Sequence, residues 1–238
     1  MNNESLLLNS FKEIGIVLSE KQVHRFLKYM ELIKYWNSKT NITSIENDKD
    51  VILKHFLDSV VPCTIINFKG KKIIDIGTGA GFPGLPIKIL LEEAVKINLL
   101  DSSKKKIAIV KEISRELDLI DIEYLNDNVE NIGRKENYRG IFDIAVVRAV
   151  SSLNTVLEYS IPLLKIGGIS ILYKGPIVEN EVENSLKSLT LLNGKIVKKH
   201  EFIVPFSNYS RNIVVVEKIA ETDIKYPRRV GVPRKKPL

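Results

Sequence analysis

Between Lys71 and Gly175 the chain alternates short apolar runs with stretches of helical period. The runs are KKIIDI (71–76), KINLLD (96–101), IEYLN (122–126), FDIAVVRA (142–149) and ISILYKG (169–175), the last preceded by a Gly167-Gly168 turn. The segments around 85–92 and 102–117, from 150 to about 165, and from 178 to 191 read as helices. Strands separated by helices lie parallel in one sheet, with right-handed crossovers and helices on both faces. KIVKKHEFIV (195–204) and RNIVVVEK (211–218) follow with no helix between them. Such a connection makes a hairpin, so an edge strand runs antiparallel. The fold class is therefore α/β: a doubly wound, Rossmann-like, mostly parallel sheet with an antiparallel edge strand.

Ahead of the sheet, residues 3–60 read as a helical N-terminal extension. Val23, Phe26, Leu27, Met30, Ile33 and Trp36 recur at the period of an amphipathic helix. Ser19 and Gln22 fit a capping box at its start. A second helical stretch near 51–60 buries Ile52, Phe56 and Val60. No glycine-rich linker follows, so the extension packs on the sheet. Three units result: the extension (1–68), the sheet domain (69–220) and a basic C-terminal tail (221–238).

Cys63 is the single cysteine and reads as a small buried hydrophobe. His24, His55 and His200 are too scattered for a zinc site, so no metal is expected. The N-terminal apolar run, Leu6 to Leu8, is too short for a signal peptide, and no segment has the length of a membrane span. The expectation is a soluble, reduced, cytoplasmic monomer without a membrane partner. Net charge is +7, from 36 basic and 29 acidic residues. Six basic residues and no acid lie between Lys225 and Leu238, and Lys104–Lys106 form a second basic run. Either run alone reads as solvated. Together, on a fold with a glycine loop, they point to an anionic partner.

The loop is DIGTGAGFPG (75–84), with glycines at 77, 79, 81 and 84. Four glycines exceed the needs of a turn and indicate close approach of backbone to a ligand. From Gly79 the loop matches the dinucleotide fingerprint G-x-G-x-x-G. Asp75, ending the first strand, argues otherwise, because an inward carboxylate repels a pyrophosphate. It suits S-adenosylmethionine, whose sulfonium and ammonium groups are both positive. Asp101, ending the second strand, can accept from both ribose hydroxyls. That role is shared with dinucleotide folds, where the acid lies roughly 20 residues on. Ser102 is the expected cap of the next helix. Asp127, Asn128, Val129 and Glu130, after the third strand, could read an adenine edge or form a polar turn.

At these residues the sequence resembles a known family, the bacterial 16S ribosomal RNA guanine-N7 methyltransferases, historically the glucose-inhibited division B proteins. The resemblance runs through WNSKTNITSI (36–45), KHFLDS (54–59), DIGTGAGFPGLPIKI (75–89), LDSSKKK (100–106), VVRAV (146–150) and YPRRVGVPRKKPL (226–238). The Phe-Pro within the glycine loop, paired with that tail, makes it specific. It implies a class I methyltransferase fold, S-adenosylmethionine as cofactor, and 16S rRNA in the small subunit or its assembly intermediate as partner. It implies further that Gly77 and Phe82 contact the cofactor, that Val129 and Glu130 sit by the adenine, and that Arg148 stands at the substrate-side mouth. Where the family often carries His and Arg, this chain has Asn126 and Asn128.

Guanine N7 has a free lone pair and no proton to lose, so its methylation needs alignment and no general base. No catalytic acid or base is expected. The Asn/Asp-Pro-Pro-aromatic of exocyclic-amine methylation is replaced here by Arg148-Ala149-Val150, and no cysteine stands near it for attack on a pyrimidine. Arg148 is either an ion pair orienting Asp75 or Asp101, or a contact to cofactor, phosphate or guanine O6. Lys174, Arg211, Arg228 and Arg229 are candidates for RNA phosphate. His55 and Asp58, a turn apart, are expected to fasten the extension to the sheet. A dinucleotide-dependent oxidoreductase and a noncatalytic RNA-binding module are the competing classes.

Overall fold

The computed structural model describes residues 2–43, 47–176 and 178–238; Ser44 and Ile45 of the 36–45 motif lie outside them. The extension begins with helices α1 (Asn3–Glu13) and α2 (Glu20–Lys39). The Ser19/Gln22 capping box is present at the start of α2. A continuous helical run then comprises α3 (Asp48–Asp50), a π-helical stretch (Val51–Leu57), α4 (Asp58–Val60) and a final 3-10 turn (Val61–Thr64). The apolar stripe of α2 is buried through Val23, Phe26, Met30 and Ile33, as its period requires. Phe26 joins Phe11 of α1 and Phe56 of the π-helix, each at 5.1 Å between ring centroids. Ile52, Phe56 and Val60 are buried, while Trp36 and Cys63 are only partly covered against this core.

The sheet follows the expected alternation. The elements are β1 (Lys72–Ile76), α5 (Gly84–Leu91), β2 (Lys96–Asp101), α6 (Lys104–Glu116), β3 (Ile122–Asn126), α7 (Val129–Ile132), β4 (Phe142–Arg148) and α8 (Leu153–Ser160). Then come β5 (Leu164–Lys174), α9 (Glu179–Asn184), α10 (Leu186–Leu192), β6 (Gly194–Ile203), β7 (Ser210–Lys218) and α11 (Val232–Lys235). The seven strands lie in the order β3-β2-β1-β4-β5-β7-β6. All pairs among β1 to β5 are parallel, and β7 runs antiparallel to both β5 and β6. The antiparallel edge is thus a hairpin whose returning strand inserts between β5 and the outermost strand.

Three local expectations are corrected. The cap of α6 is Ser103, whose hydroxyl accepts from the Lys106 N–H; Ser102 lies one residue too early. Gly167 and Gly168 are not a turn before β5 but lie within it, where the pairing with β4 shifts register and Gly167 takes φ +80°. This is the extra-residue geometry of a bulge. The helix expected over 178–191 breaks at Ser185 into α9 and α10.

Strand side chains alternate between two cores. Ile73, Leu99 and Val146 face α1, α2, α5 and α6, while Ile74, Leu100 and Val147 face α7, α8 and α10. Two ties fix the extension to the sheet: the Tyr173 hydroxyl donates to the Ser59 carbonyl at 2.7 Å, and Arg148 reaches the 54–58 turn.

The basic tail is docked through its backbone and Arg228, while Lys225, Arg229, Arg234, Lys235 and Lys236 keep exposed side chains. Arg139 donates to the carbonyls of Thr222, Asp223 and Tyr226, and Arg134 to that of Pro227. Thr155 and Asn154 of α8 donate to the oxygens of Pro233 and Leu238. Arg228 grips Glu158, which is fully buried on α8, through its backbone N–H (2.8 Å), Nε (2.9 and 3.1 Å) and an Nη (2.6 Å). Arg228 is therefore committed to a carboxylate, not available to RNA phosphate; Arg229 beside it is exposed. Removing one partner of a buried pair leaves the other charge uncompensated. Arg228→Ala is expected to cost about 3 kcal/mol, lowering Tm in a thermal melt by about 6–12 °C, whereas Arg229→Ala stays within about 0.5 kcal/mol of the parent.

Candidate functional site

In an open parallel sheet the ligand crevice lies beyond the carboxyl ends of the strands, where the strand order reverses. Here the order reverses between β1 and β4. The loop from Gly77 to Pro83 leaves β1 at that point and enters α5. Two carboxylates shape it. Asp75 Oδ2 accepts from the Gly84 N–H at 2.9 Å, and Asp101 Oδ2 accepts from the Gly79 N–H at 3.0 Å. The glycines are needed where they stand. A Cβ on Gly84 would meet Asp75 Oδ2 at 2.7 Å and Leu99 Cδ2 at 2.4 Å. Gly77 has φ +74°, and a Cβ there would meet Val150 at 2.7 Å.

Beyond the loop opens a cleft of about 400 Å3. Its walls include Gly77, Asp101, Lys106 and the Asp127–Glu130 segment, closed on the far side by Val150, Tyr159, Gly231 and Arg234. Five sequence-selected residues meet around this cleft: Gly77, Asp101, Val129 and Glu130 on its wall, and Gly79 hydrogen-bonded to Asp101. Asp101 Oδ1 also accepts from the Ser103 N–H at 2.8 Å, which fixes the carboxylate at the end of β2. Asn126, whose amide donates to the carbonyls of Asp101 and Ser102, braces the same corner. Glu130 does more than line the cleft: its Oε1 accepts from the Gly231 N–H at 2.9 Å and so latches the tail onto the rim.

Asp75 lies beneath the loop, with no exposed surface. Its Oδ1 and the Thr78 hydroxyl have no hydrogen-bond partner among the described residues. Burial pushes its carboxyl up to about 7, against the opposing pull of the nearby Thr78, the Gly84 N–H and Arg148. A buried acceptor without a donor costs free energy until a ligand or water supplies one.

Phe82 and Arg148 do not reach this cleft. Phe82 is buried in a stack between Tyr29 (5.3 Å) and His55 (4.2 Å, 11° between planes), with the Arg148 guanidinium 5.1 Å from its ring centre. Apolar burial and stacking hold it on the extension side of the loop. Arg148 donates to the Lys54 carbonyl (3.0 Å), to Asp58 Oδ2 (3.3 Å) and to His55 Nδ1 (2.9 Å). Its ion-pair partner is thus Asp58, not Asp75 or Asp101. Burial, and then Arg148, push the His55 imidazole down to about 3. The ring is neutral, accepts at Nδ1, and so donates from Nε2 to Thr43 Oγ1 at 2.9 Å.

Arg148 opens instead on a second cavity of about 360 Å3, which it lines with Lys54, His55, Asp58, Lys174 and Arg211. Ala149, at φ +55°, belongs to the walls of both cavities and separates them. Lys174 is tied to Glu181 (2.7 Å) and the Ser151 carbonyl (3.1 Å), while Arg211 lies 3.7 Å from Asp58 Oδ1. A further cavity of about 390 Å3, at the amino ends of the strands, has charged walls on which Lys21 and Arg25 pair with Glu92, and Lys28 with Glu116. Among the described residues no group of His, Cys, Asp and Glu could hold a metal ion, and no helix is long and apolar enough to cross a membrane.

The model of the family described as rRNA small subunit methyltransferase G matches residues 22–214. This chain belongs to that family. A ribosomal RNA small subunit methyltransferase G of Acetivibrio thermocellus is 46% identical over 98% of this chain and 96% of its own length. One of Alkaliphilus metalliredigens is 40% identical over the whole of both. Among solved structures, M. jannaschii TYW2 in complex with AdoMet superposes with a TM-score of 0.55 at 12% identity, covering 75% of this chain and 81% of that one. A SAM dependent methyltransferase from Aquifex aeolicus gives 0.52 at 17% identity, covering 70% and 93%. These neighbours share the sheet and its crossovers.

Residues that the sequence did not single out complete the loop and its cleft. Tyr29, fully buried on α2, donates to the Ala80 carbonyl at 2.7 Å and so holds the loop from the extension. Its position on the apolar stripe of α2 was the only local signal. Tyr159, Gly231 and Arg234 come from elements far from the loop in sequence.

The sign of the Asp75 shift sets a pH dependence. A folded-state pKa above the unfolded value means that the folded chain keeps a proton that the unfolded chain has lost, so stability falls as pH rises between the two. With the folded value at about 7 and the unfolded near 4, wild-type stability should fall from about pH 4 to pH 7 with a slope of at most about 1.4 kcal/mol per unit from this group. Asp75→Asn should flatten that slope in denaturant titrations run across the range.

Proposed function

We propose that this protein transfers a methyl group from S-adenosylmethionine to N7 of a guanine in the 16S ribosomal RNA of the small subunit. The observation that carries the reading is the cleft at the glycine loop, walled by Gly77, Asp101, Asp127 and Glu130. Carboxylates so placed repel a pyrophosphate and attract a cation. Family membership supports rRNA of the small subunit as the substrate. An oxidoreductase reading finds no support in either comparison.

In this reading Asp101 holds the ribose hydroxyls, and Val129 and Glu130 border the adenine. Gly77 and Gly79 let the backbone pass close to the methionine part. Asp75 Oδ1 takes the ammonium, directly or through water. When bound, the cofactor supplies an electrophilic methyl group on a positively charged sulfur. The chain supplies position. The loop is fixed from three sides by Asp75, Asp101 and Tyr29. Ala149, with its single methyl, is the partition across which donor and acceptor face each other. N7 loses no proton, so no residue need act as a base, and alignment is the source of rate. Arg211 and Arg229 at the surface supply salt-sensitive attraction to RNA phosphates.

Incubation with S-adenosylmethionine and unmethylated 16S rRNA, free and in reconstituted small subunits, followed by digestion to nucleosides, should yield 7-methylguanosine. A methyl group found only on an exocyclic amine would defeat the reading. Asp101→Ala should weaken cofactor binding in calorimetric titration by about 10–100-fold, the value of a hydrogen-bonding charged group.

A further inference from the structure

The second cavity contains a residue that its charge does not explain. Lys54, Arg148, Lys174 and Arg211 make the surroundings cationic, and Asp58 is the one acid on the wall. Its side chain is 5% exposed. Oδ2 receives Arg148, but Oδ1 has no hydrogen-bond partner among the described residues, and Arg211 Nε at 3.7 Å is too far to be one. Burial raises the carboxyl above its usual range in spite of both arginines. A cavity built for phosphate has no use for such an oxygen, which would repel it. In the tie between extension and sheet the hydrogen bond uses Oδ2, and Arg211 of β7 adds only a 3.7 Å ion pair to Oδ1.

We infer that Asp58 selects the base: its carboxylate accepts the N1–H and N2–H donors of guanine in the second cavity, an assignment that rests on the methyl-transfer reading above. Guanine alone among the four RNA bases places two adjacent donors on its Watson–Crick edge. Adenine and cytosine each present an acceptor beside their amino group there, and uracil flanks its single N–H with carbonyls. Two carboxylate oxygens accept such a pair together. The orientation that follows is productive. N7 lies on the opposite edge of the purine from N1 and N2, so a base held at Asp58 turns N7 away from α4. Ala149, on the wall of the same cavity, also borders the cleft assigned to the methyl donor. The weak hold of Arg211 on Oδ1 leaves that oxygen to the stronger donors.

The test compares two RNAs that differ at the target base alone, guanosine or inosine, which lacks the N2 amino group and keeps N7. Wild-type protein should methylate the guanosine RNA with a kcat/KM about tenfold or more above that for inosine, because a site built to bond an N–H rejects the analogue without it. In Asp58→Asn that ratio should fall toward one, while S-adenosylmethionine affinity, read by calorimetry, stays unchanged. If Asp58 is only a tie, the variant slows both RNAs by the same factor and the preserved ratio overturns the assignment. Equal wild-type rates on the two RNAs would overturn it without any variant, should Asp58→Asn fail to fold. Absence of 7-methylguanosine from the wild-type reaction on guanosine RNA would overturn the methyl-transfer reading, and this assignment with it.

Discussion

Two carboxylates at the ends of adjacent strands, each bonded to a backbone N–H of the same loop, are what the rest of the site depends on. Asp75 holds Gly84 and Asp101 holds Gly79. A loop of this composition has little side-chain packing to define it, and glycine gives it more unfolded freedom than any other residue. Bonds from rigid strand ends fix it instead. Because β1 and β2 pair in register from Lys72–Lys96 to Ile76–Leu100, the two anchors keep a fixed spacing. The loop inherits the precision of the sheet.

The N-terminal extension acts on this loop from the other side. Tyr29 bonds to Ala80, and Phe82 is stacked between Tyr29 and His55. His55 in turn accepts from Arg148 at the end of β4. One chain of contacts therefore runs from α2 through the loop to the end of β4, next to Ala149, which borders both cavities. The π-helical winding of 51–57 sets Lys54, His55 and Asp58 around a single arginine. A π turn carries a small conformational cost and is often found at functional positions.

The sheet was legible because its signal is local. Apolar runs of strand length, separated by helical periods and punctuated by glycine, locate β1 to β5 within a few residues, and the absence of a helix between 204 and 211 locates the hairpin. Asp101 and the 127–130 segment were legible too, since strand ends in this topology converge on the crevice. What the sequence hid is long-range. Six basic residues without an acid look solvated when read along the tail. Five of them are indeed exposed, but Arg228 pairs with Glu158 and the Gly231 N–H bonds to Glu130, acceptors on helices whose local pattern does not mark them. The family resemblance implied a cofactor contact for Phe82. Burial against Tyr29, a residue some fifty positions earlier in the chain, decides its direction. Ser103, not Ser102, caps α6 because Asp101 already takes the Ser103 N–H.

The latch between Glu130 and Gly231 bears on the order in which the molecule is completed. The cleft draws its walls from Gly77 at one end of the chain order to Arg234 at the other. Contacts between such distant segments are the slowest to form, since loop closure must be met before they return anything. A chain whose sheet has assembled but whose last segment is still undocked lacks one wall of the cleft. The glycine loop and the basic tail are thus two halves of one enclosure, drawn from distant parts of the chain.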